Sequence, residues 1–228
     1  MIWYTVIKMR KLYSLKKHEK EGFCMKKILI TGFEPFGGDD RNPSGEAVEQ
    51  LIVTNSEYEV KKLILPVTWK TAFPKIRELW DAWHPDAVLM VGLAAGAKTL
   101  RIERVGINLC GATKDNDGIY ANGAGDEPVE MPIVPGAEDG YFTTYNEKAI
   151  ADALAAAEIP AKYSYSAGAY ICNYLLYSSL HKCKKENADM KIGFIHLPYA
   201  EGQREEMPSL PLETMVKALG ITLDHLWE

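Results

Sequence analysis

Apolar residues in this chain occur in two patterns that alternate along its length. Short unbroken runs, such as Lys27-Ile-Leu-Ile-Thr31 and Ala87-Val-Leu-Met-Val91, each close on a glycine, Gly32 and Gly92. Unbroken runs of this length predict strands buried on both faces. Residues 60–66, 161–166 and 192–197 predict further strands. Residues 100–109 alternate, with Ile102 and Arg104 on one side and Glu103, Val105 and Ile107 on the other, and predict one strand bearing charge. Between these runs the apolar spacing becomes helical, over residues 46–52, 71–83, 146–157, 170–182 and 212–226. Pro43 signals the start of the first helix, and His84-Pro85 stops the second. Residues 112–135 are rich in Gly, Asp and Asn and predict a long loop, functional or mobile.

Strands alternating with helices predict an α/β fold, a single-domain α/β/α sandwich with a mostly parallel twisted sheet. In such sheets ligands bind beyond the carboxyl ends of the strands. The chemically interesting residues are expected at those ends. The chain has 228 residues, which suits one large domain. Residues 1–24 fit it poorly: a short apolar piece precedes Lys8, Arg10, Lys11, Lys16, Lys17 and Lys20, the reverse of a secretory signal. We expect the domain to span residues 25–228 and residues 1–24 to be a non-native or disordered extension. A short basic helix used in contacts is the other reading.

Composition narrows the classes of function. With 47% hydrophobic residues the core needs no disulfide or metal. A net charge of −5 favours neither nucleic acid nor an anionic membrane as partner. No apolar run approaches the roughly 20 residues that span a bilayer. Cys24, Cys110, Cys172 and Cys183 form no CxxC pair and have no His at zinc-ligand spacing, so no metal and no cofactor are expected. Without a secretion signal these thiols are read as reduced, which points to the cytoplasm.

Cys172 follows the small-residue turn Ser166-Ala-Gly-Ala-Tyr170 and falls in the first turn of a helix. A helix N-terminus carries roughly half a positive charge and free N–H groups, which favour a thiolate and then an oxyanion. A buried structural thiol is the even alternative; Cys110 and Cys183 are assigned to it. His196 ends an apolar strand before Pro198, where a base could meet Cys172 in space; a core histidine is the bland alternative. Glu103 could orient that imidazole, or simply pair with Arg104. Asp115 and Asp117 are alternatives to Glu103. Phe33 and Phe36, on the Gly-rich loop after the first strand, could wall a small flat pocket or merely pack beneath the loop.

Taken together these segments resemble the pyroglutamyl peptidase I (pyrrolidone-carboxylate peptidase) family of cysteine peptidases. The resemblance runs in order through Thr31-Gly-Phe-Glu-Pro-Phe-Gly-Gly38 with Asn42-Pro-Ser44, and Val91-Gly-Leu-Ala-Ala-Gly96 with Ile102-Glu-Arg-Val-Gly-Ile-Asn108. It continues through Pro132-Ile-Val-Pro-Gly136 with Gly140-Tyr-Phe142, then Tyr165-Ser-Ala-Gly-Ala-Tyr-Ile-Cys-Asn173 and Gly193-Phe-Ile-His-Leu-Pro-Tyr199. It implies a triad of Cys172, His196 and Glu103. It implies a lactam pocket of Phe33, Phe36, Tyr170 and Ile171, with Asn42 hydrogen-bonding the ring amide or carbonyl. The implied substrates are small peptides with N-terminal pyroglutamate, and the implied assembly is a homotetramer. Two departures bear on the oxyanion site. Ala97-Lys98 stand where the family carries Arg, and Ala112-Thr-Lys-Asp-Asn116 shortens a segment that contains Arg in bacterial members; Lys114 or Arg101 are the available substitutes. A non-catalytic homologue that binds a small ligand is the rival from another class.

Overall fold

The computed structural model describes residues 25–123 and 130–227. The expected extension over residues 1–24, with Cys24, lies outside the described residues. In chain order the elements begin with β1 (Lys26–Phe33), α1 (Pro43–Gln50), β2 (Tyr58–Leu65), α2 (Ala72–Trp83) and β3 (Ala87–Leu93). They continue with β4 (Leu100–Glu103), β5 (Val105–Ile107), β6 (Gly140–Phe142), α3 (Glu147–Ala156), β7 (Ala161–Ser164) and α4 (Ile171–Glu186). The last are β8 (Lys191–Leu197), β9 (Tyr199–Ala200), β10 (Ser209–Leu210) and α5 (Leu212–Asp224).

Six strands form one sheet in the order β2-β1-β3-β8-β4-β7. β2, β1, β3 and β8 run parallel, and β4 and β7 run parallel to each other but against β8. The sheet is therefore mostly parallel, as expected, with one reversal at the β8–β4 seam. β1 and β3 are central and covered on both sides, which is why they read as unbroken apolar runs. Ile28, Leu29, Ile30 and Ala87 through Val91 have no solvent exposure. Alternate residues serve opposite layers. Ile30, Val91, Ile102 and Ile195 pack with Val48 of α1, Ile150 of α3 and Met215 of α5. Leu29, Met90 and Phe194 pack with Ile76 and Trp80 of α2 and Leu175 of α4.

Two local expectations are corrected. Residues 100–109 are not one strand. β4 belongs to the main sheet, whereas β5 pairs with β6 in a separate ribbon. The break has a plain cause: the edge of β8 beyond β4 is taken by Thr144, whose N–H donates to the Ile192 carbonyl at 3.0 Å. β6 itself was not foreseen, being only Gly-Tyr-Phe. Nor is the described part of the long loop free of structure, since Cys110 and Met131 pair as a bridge.

Candidate active site

The reversal of β4 brings Glu103 and His196 together. Arg101 pairs with His196 in the ladder, so Glu103, two residues on, presents its side chain to the same face. Its Oε1 lies 2.7 Å from His196 Nδ1. Both side chains are sequestered, Glu103 at 0% exposure and His196 at 5%. The alternative partner, Arg104, is engaged elsewhere, in an ion pair with Glu147.

Cys172 completes this group from α4, which covers that face. Its thiol lies close enough to the His196 side chain to influence the imidazole's titration. With Nδ1 committed to Glu103, Nε2 is the nitrogen left for sulfur. Burial opposes charge on the imidazole, but the hydrogen bonds and negative charges of Cys172 and Glu103 outweigh it and raise His196 to about 9. The imidazolium form of His196 is thus favoured around neutral pH. The other cysteines differ. Burial pushes Cys110 up to about 11, and Cys183, also raised chiefly by burial, points its sulfur at the Ala188 carbonyl at 3.2 Å.

The route by which Cys172 arrives differs from expectation. β7 runs against β8, so Ser164 ends level with Glu103 rather than at the carboxyl edge of β8. Residues 165–170 then double back through a turn at Gly168, φ +80°, before α4 starts. Tyr170 is the N-cap of α4, and no side chain caps this helix. The first backbone N–H groups of α4, that of Cys172 among them, therefore have no capping side chain.

Phe33, Phe36, Asn42, Val67, Leu93, Tyr170, Ile171 and Cys172 surround one small apolar recess. It is far smaller than the roughly 300–1,000 Å³ of sites for drug-sized ligands. The segment with Asp115 roofs it. Tyr170 donates its hydroxyl to the Lys114 carbonyl at 3.0 Å, and the Asn116 amide donates to the Pro35 carbonyl at 3.0 Å. Asp115 is no substitute for Glu103: its carboxylate accepts the backbone N–H groups of Trp69, Asp117 and Ile119 and so holds the roof in shape. Asn42 has a narrower role than expected. Its Oδ1 accepts from both the N–H and the hydroxyl of Ser44, and its amide donates to the Glu34 carbonyl at 3.0 Å. One amide hydrogen remains, enough to donate to a ring carbonyl but not to accept from a ring N–H.

Residues missed by sequence reasoning lie around these. Gly92 faces the sulfur: a Cβ there would sit 3.0 Å from Cys172 Sγ and 2.9 Å from the Phe194 ring. Asn173, fully buried beside Cys172, accepts the Ile107 N–H at 2.9 Å and donates to the carbonyls of Ile107 and Leu109. It ties the start of α4 to β5, and a buried amide next to the nucleophile was the available signal. Of the two basic substitutes, Lys114 places its ammonium over the Tyr120 ring at 5.1 Å, and Arg101 stands beside His196 in the ladder. Lys98 lies exposed on the turn after β3. Among the described residues no group of three acidic, His or Cys side chains could hold a metal, and no helix is long and apolar enough to cross a membrane.

Comparisons with known proteins agree on one family. The family model described as pyroglutamyl peptidase matches residues 26–227. A pyrrolidone-carboxylate peptidase of Thermococcus onnurineus is 41% identical over 200 residues, covering 86% of this chain and 96% of its own. One from Brevibacillus brevis is 36% identical, covering 88% and 92%. Among solved structures, pyroglutamyl peptidase I of Bacillus amyloliquefaciens superposes with a TM-score of 0.81 at 34% identity, covering 89% of this chain and 95% of that one. The pyrrolidone carboxyl peptidase of Thermococcus litoralis gives 0.81 at 35% identity, covering 89% and 93%.

Proposed function

The chain belongs to the pyroglutamyl peptidase family, and from that premise we propose that Cys172, His196 and Glu103 carry its reaction, with Phe33, Phe36, Asn42, Tyr170 and Ile171 holding the substrate ring. The chain is a cysteine peptidase that removes N-terminal pyroglutamate from peptides. The observation that carries the residue assignment is the convergence of the buried Glu103–His196 pair with Cys172 at the mouth of the small apolar recess.

In this reading the Cys172 thiolate attacks the pyroglutamyl carbonyl carbon. The carbonyl electrons move to oxygen, and the open N–H groups at the start of α4 receive the oxyanion. Collapse of the adduct breaks the C–N bond. His196, already protonated, gives its proton to the departing amine. Water, deprotonated by His196, then attacks the thioester and returns the thiol–imidazole system to its starting state. Glu103 holds the ring through Nδ1 and stabilises its charge.

The recess explains the substrate class. A lactam ring has no charge to desolvate, whereas a free N-terminal ammonium between Phe33, Phe36 and Val67 would be buried without a partner. The remaining Asn42 amide hydrogen is available to donate to the ring carbonyl. We place the enzyme in the cytoplasm, where the free thiols of Cys110, Cys172 and Cys183 persist, with a catalytic domain that starts at Met25. A homotetramer is the proposed assembly.

The test is hydrolysis of matched chromogenic amides of L-pyroglutamate, L-proline and L-glutamate by the wild type and Cys172→Ser. Cleavage of the pyroglutamyl amide alone, lost in the variant, is expected. Equal cleavage of the prolyl amide would refute the pocket assignment, and undiminished turnover by the variant would refute the nucleophile.

A further inference from the structure

Tyr145 touches neither the recess nor the sulfur, yet it sits where the two halves of the triad are joined. The β4–β8 ladder pairs Arg101 with His196 and Ile102 with Ile195, and then stops. The next pair would be Glu103 with Phe194. Instead Thr143 and Thr144 enter: the Thr143 N–H donates to the Arg104 carbonyl at 3.0 Å, and Thr144 Oγ1 accepts the Ile192 N–H at 2.7 Å. At the fork the Tyr145 hydroxyl donates to the Glu103 carbonyl at 2.8 Å and the Phe194 carbonyl at 3.1 Å, one proton serving both.

The ring is fixed as tightly as the hydroxyl. Tyr145 is 4% exposed, and a Cβ at Gly193 would come within 2.4 Å of it, so β8 has a glycine where the ring lies across it. Gly193 and Ile195 face the layer of α1, α3 and α5, whereas Phe194 and His196 face α4. Tyr145 therefore acts from behind the sheet, opposite Cys172.

We propose that Tyr145 is a positioning residue for this reaction: its hydroxyl clamps the backbone of Glu103 to that of Phe194 and so sets the distance between the Glu103 carboxylate and the His196 imidazole. Glu103 depends on this support because its other carboxylate oxygen, Oε2, is buried without a hydrogen-bond partner. Its side chain is held by the contact with His196, and its backbone by the Tyr145 clamp on one side and the ladder with Ser164 of β7 on the other. The charged groups facing His196 are Cys172 from α4, Glu103 from β4 and Arg101, its ladder partner. None lies on the side of Tyr145, so removing the hydroxyl changes no charge near the imidazole. Any change in its titration must come through geometry.

This inference rests on the triad assignment above, and the experiment separates the two. Tyr145→Phe keeps the ring and loses the clamp; Tyr145→Met fills similar volume without a donor and is the second variant should the first not fold. Both are assayed on a pyroglutamyl chromogenic amide across pH, alone and in a Glu103→Gln background. The expected result is a kcat lower by about tenfold, the scale of a modest misplacement. KM should stay within about twofold, because the recess is untouched. The alkaline limb should move to lower pH, and the kcat loss should vanish in the Glu103→Gln background. A lowered melting temperature with unchanged kcat and pH profile would reduce Tyr145 to a structural role and overturn the proposal. So would an equal kcat loss with and without Glu103. Inactive wild type, or active Cys172→Ser, would overturn the triad assignment instead.

Discussion

Helices α1 and α4 both begin at the wall of the same recess, through Asn42 and Tyr170, and their first turns are finished in opposite ways. At α1 the Asn42 side chain accepts the Ser44 N–H, the usual satisfaction of an N-terminal donor, and Ser44 Oγ in turn accepts the Phe33 N–H at 3.1 Å. That turn is closed on itself and holds the Phe33–Phe36 loop. At α4 no side chain caps the helix, and the residue in its first turn is Cys172. A capped terminus is a structural part, whereas an uncapped one beside a nucleophile is free to stabilise charge that appears during reaction.

The comparison can be broken most severely at the base that β8 sets beside Cys172 of α4. His196→Ala should lower kcat on the order of 10⁴-fold, since the members of such a unit fail together, measured as steady-state turnover of a pyroglutamyl amide. Closing the open terminus comes next. Tyr170→Asp supplies the missing cap and occupies the donors meant for the oxyanion. It should cost about 10²-fold in kcat while giving an unfolding free energy about 1 kcal/mol above that of Tyr170→Ala. Tyr170→Ala is the control for loss of the ring, and a Tyr170→Asp loss no larger than the control's would erase the distinction between the two helices.

The Glu103–His196 contact has a smaller, pH-dependent effect. His196 titrates higher in the folded protein than the roughly 6.5 of an unfolded chain, so its charge stabilises the fold fully below about 6.5. That contribution is lost as pH rises through about 9, where activity should also decline. Glu103→Gln should move the alkaline limb of the pH–rate profile downward, lower kcat roughly tenfold and flatten the pH dependence of stability across that window. An unmoved limb would contradict the pairing. Least severe is Asn42→Ala, which opens the closed terminus. It should lower the unfolding free energy by about 1–2 kcal/mol in a denaturant titration and raise KM several-fold, with little change in kcat.

The same contrast explains what could be read from residues in order. β1 and β3 were legible because burial on both faces leaves a continuous apolar run. Pro43 marked α1, since proline suits a first helical turn. The recess residues Phe33, Phe36, Tyr170 and Ile171, named through the family resemblance and not through any local pattern, line one recess with Cys172. The fork at Glu103 was not legible. The alternation of residues 100–109 continues through Arg104 although the chain changes sheets there, because the competitor for the β8 edge, Thr144, is some forty residues away in sequence. Asp115 looked like part of a mobile polar stretch, but its bonds go to backbone N–H groups, which sequence pattern does not display. The reversal of β7, and with it the doubling back before Cys172, depends on pairings that no local pattern encodes.

The central claim is that the open terminus of α4 presents Cys172 as the acyl-carrying nucleophile. The most direct measurement is acid quench of the enzyme during turnover of a pyroglutamyl ester, followed by peptide mapping by mass spectrometry. A pyroglutamyl mass increment on the peptide containing Cys172, absent in Cys172→Ser, is the predicted result. An increment on the peptide of Cys110 or Cys183, or full turnover with no adduct in the Cys172→Ser variant, would contradict it.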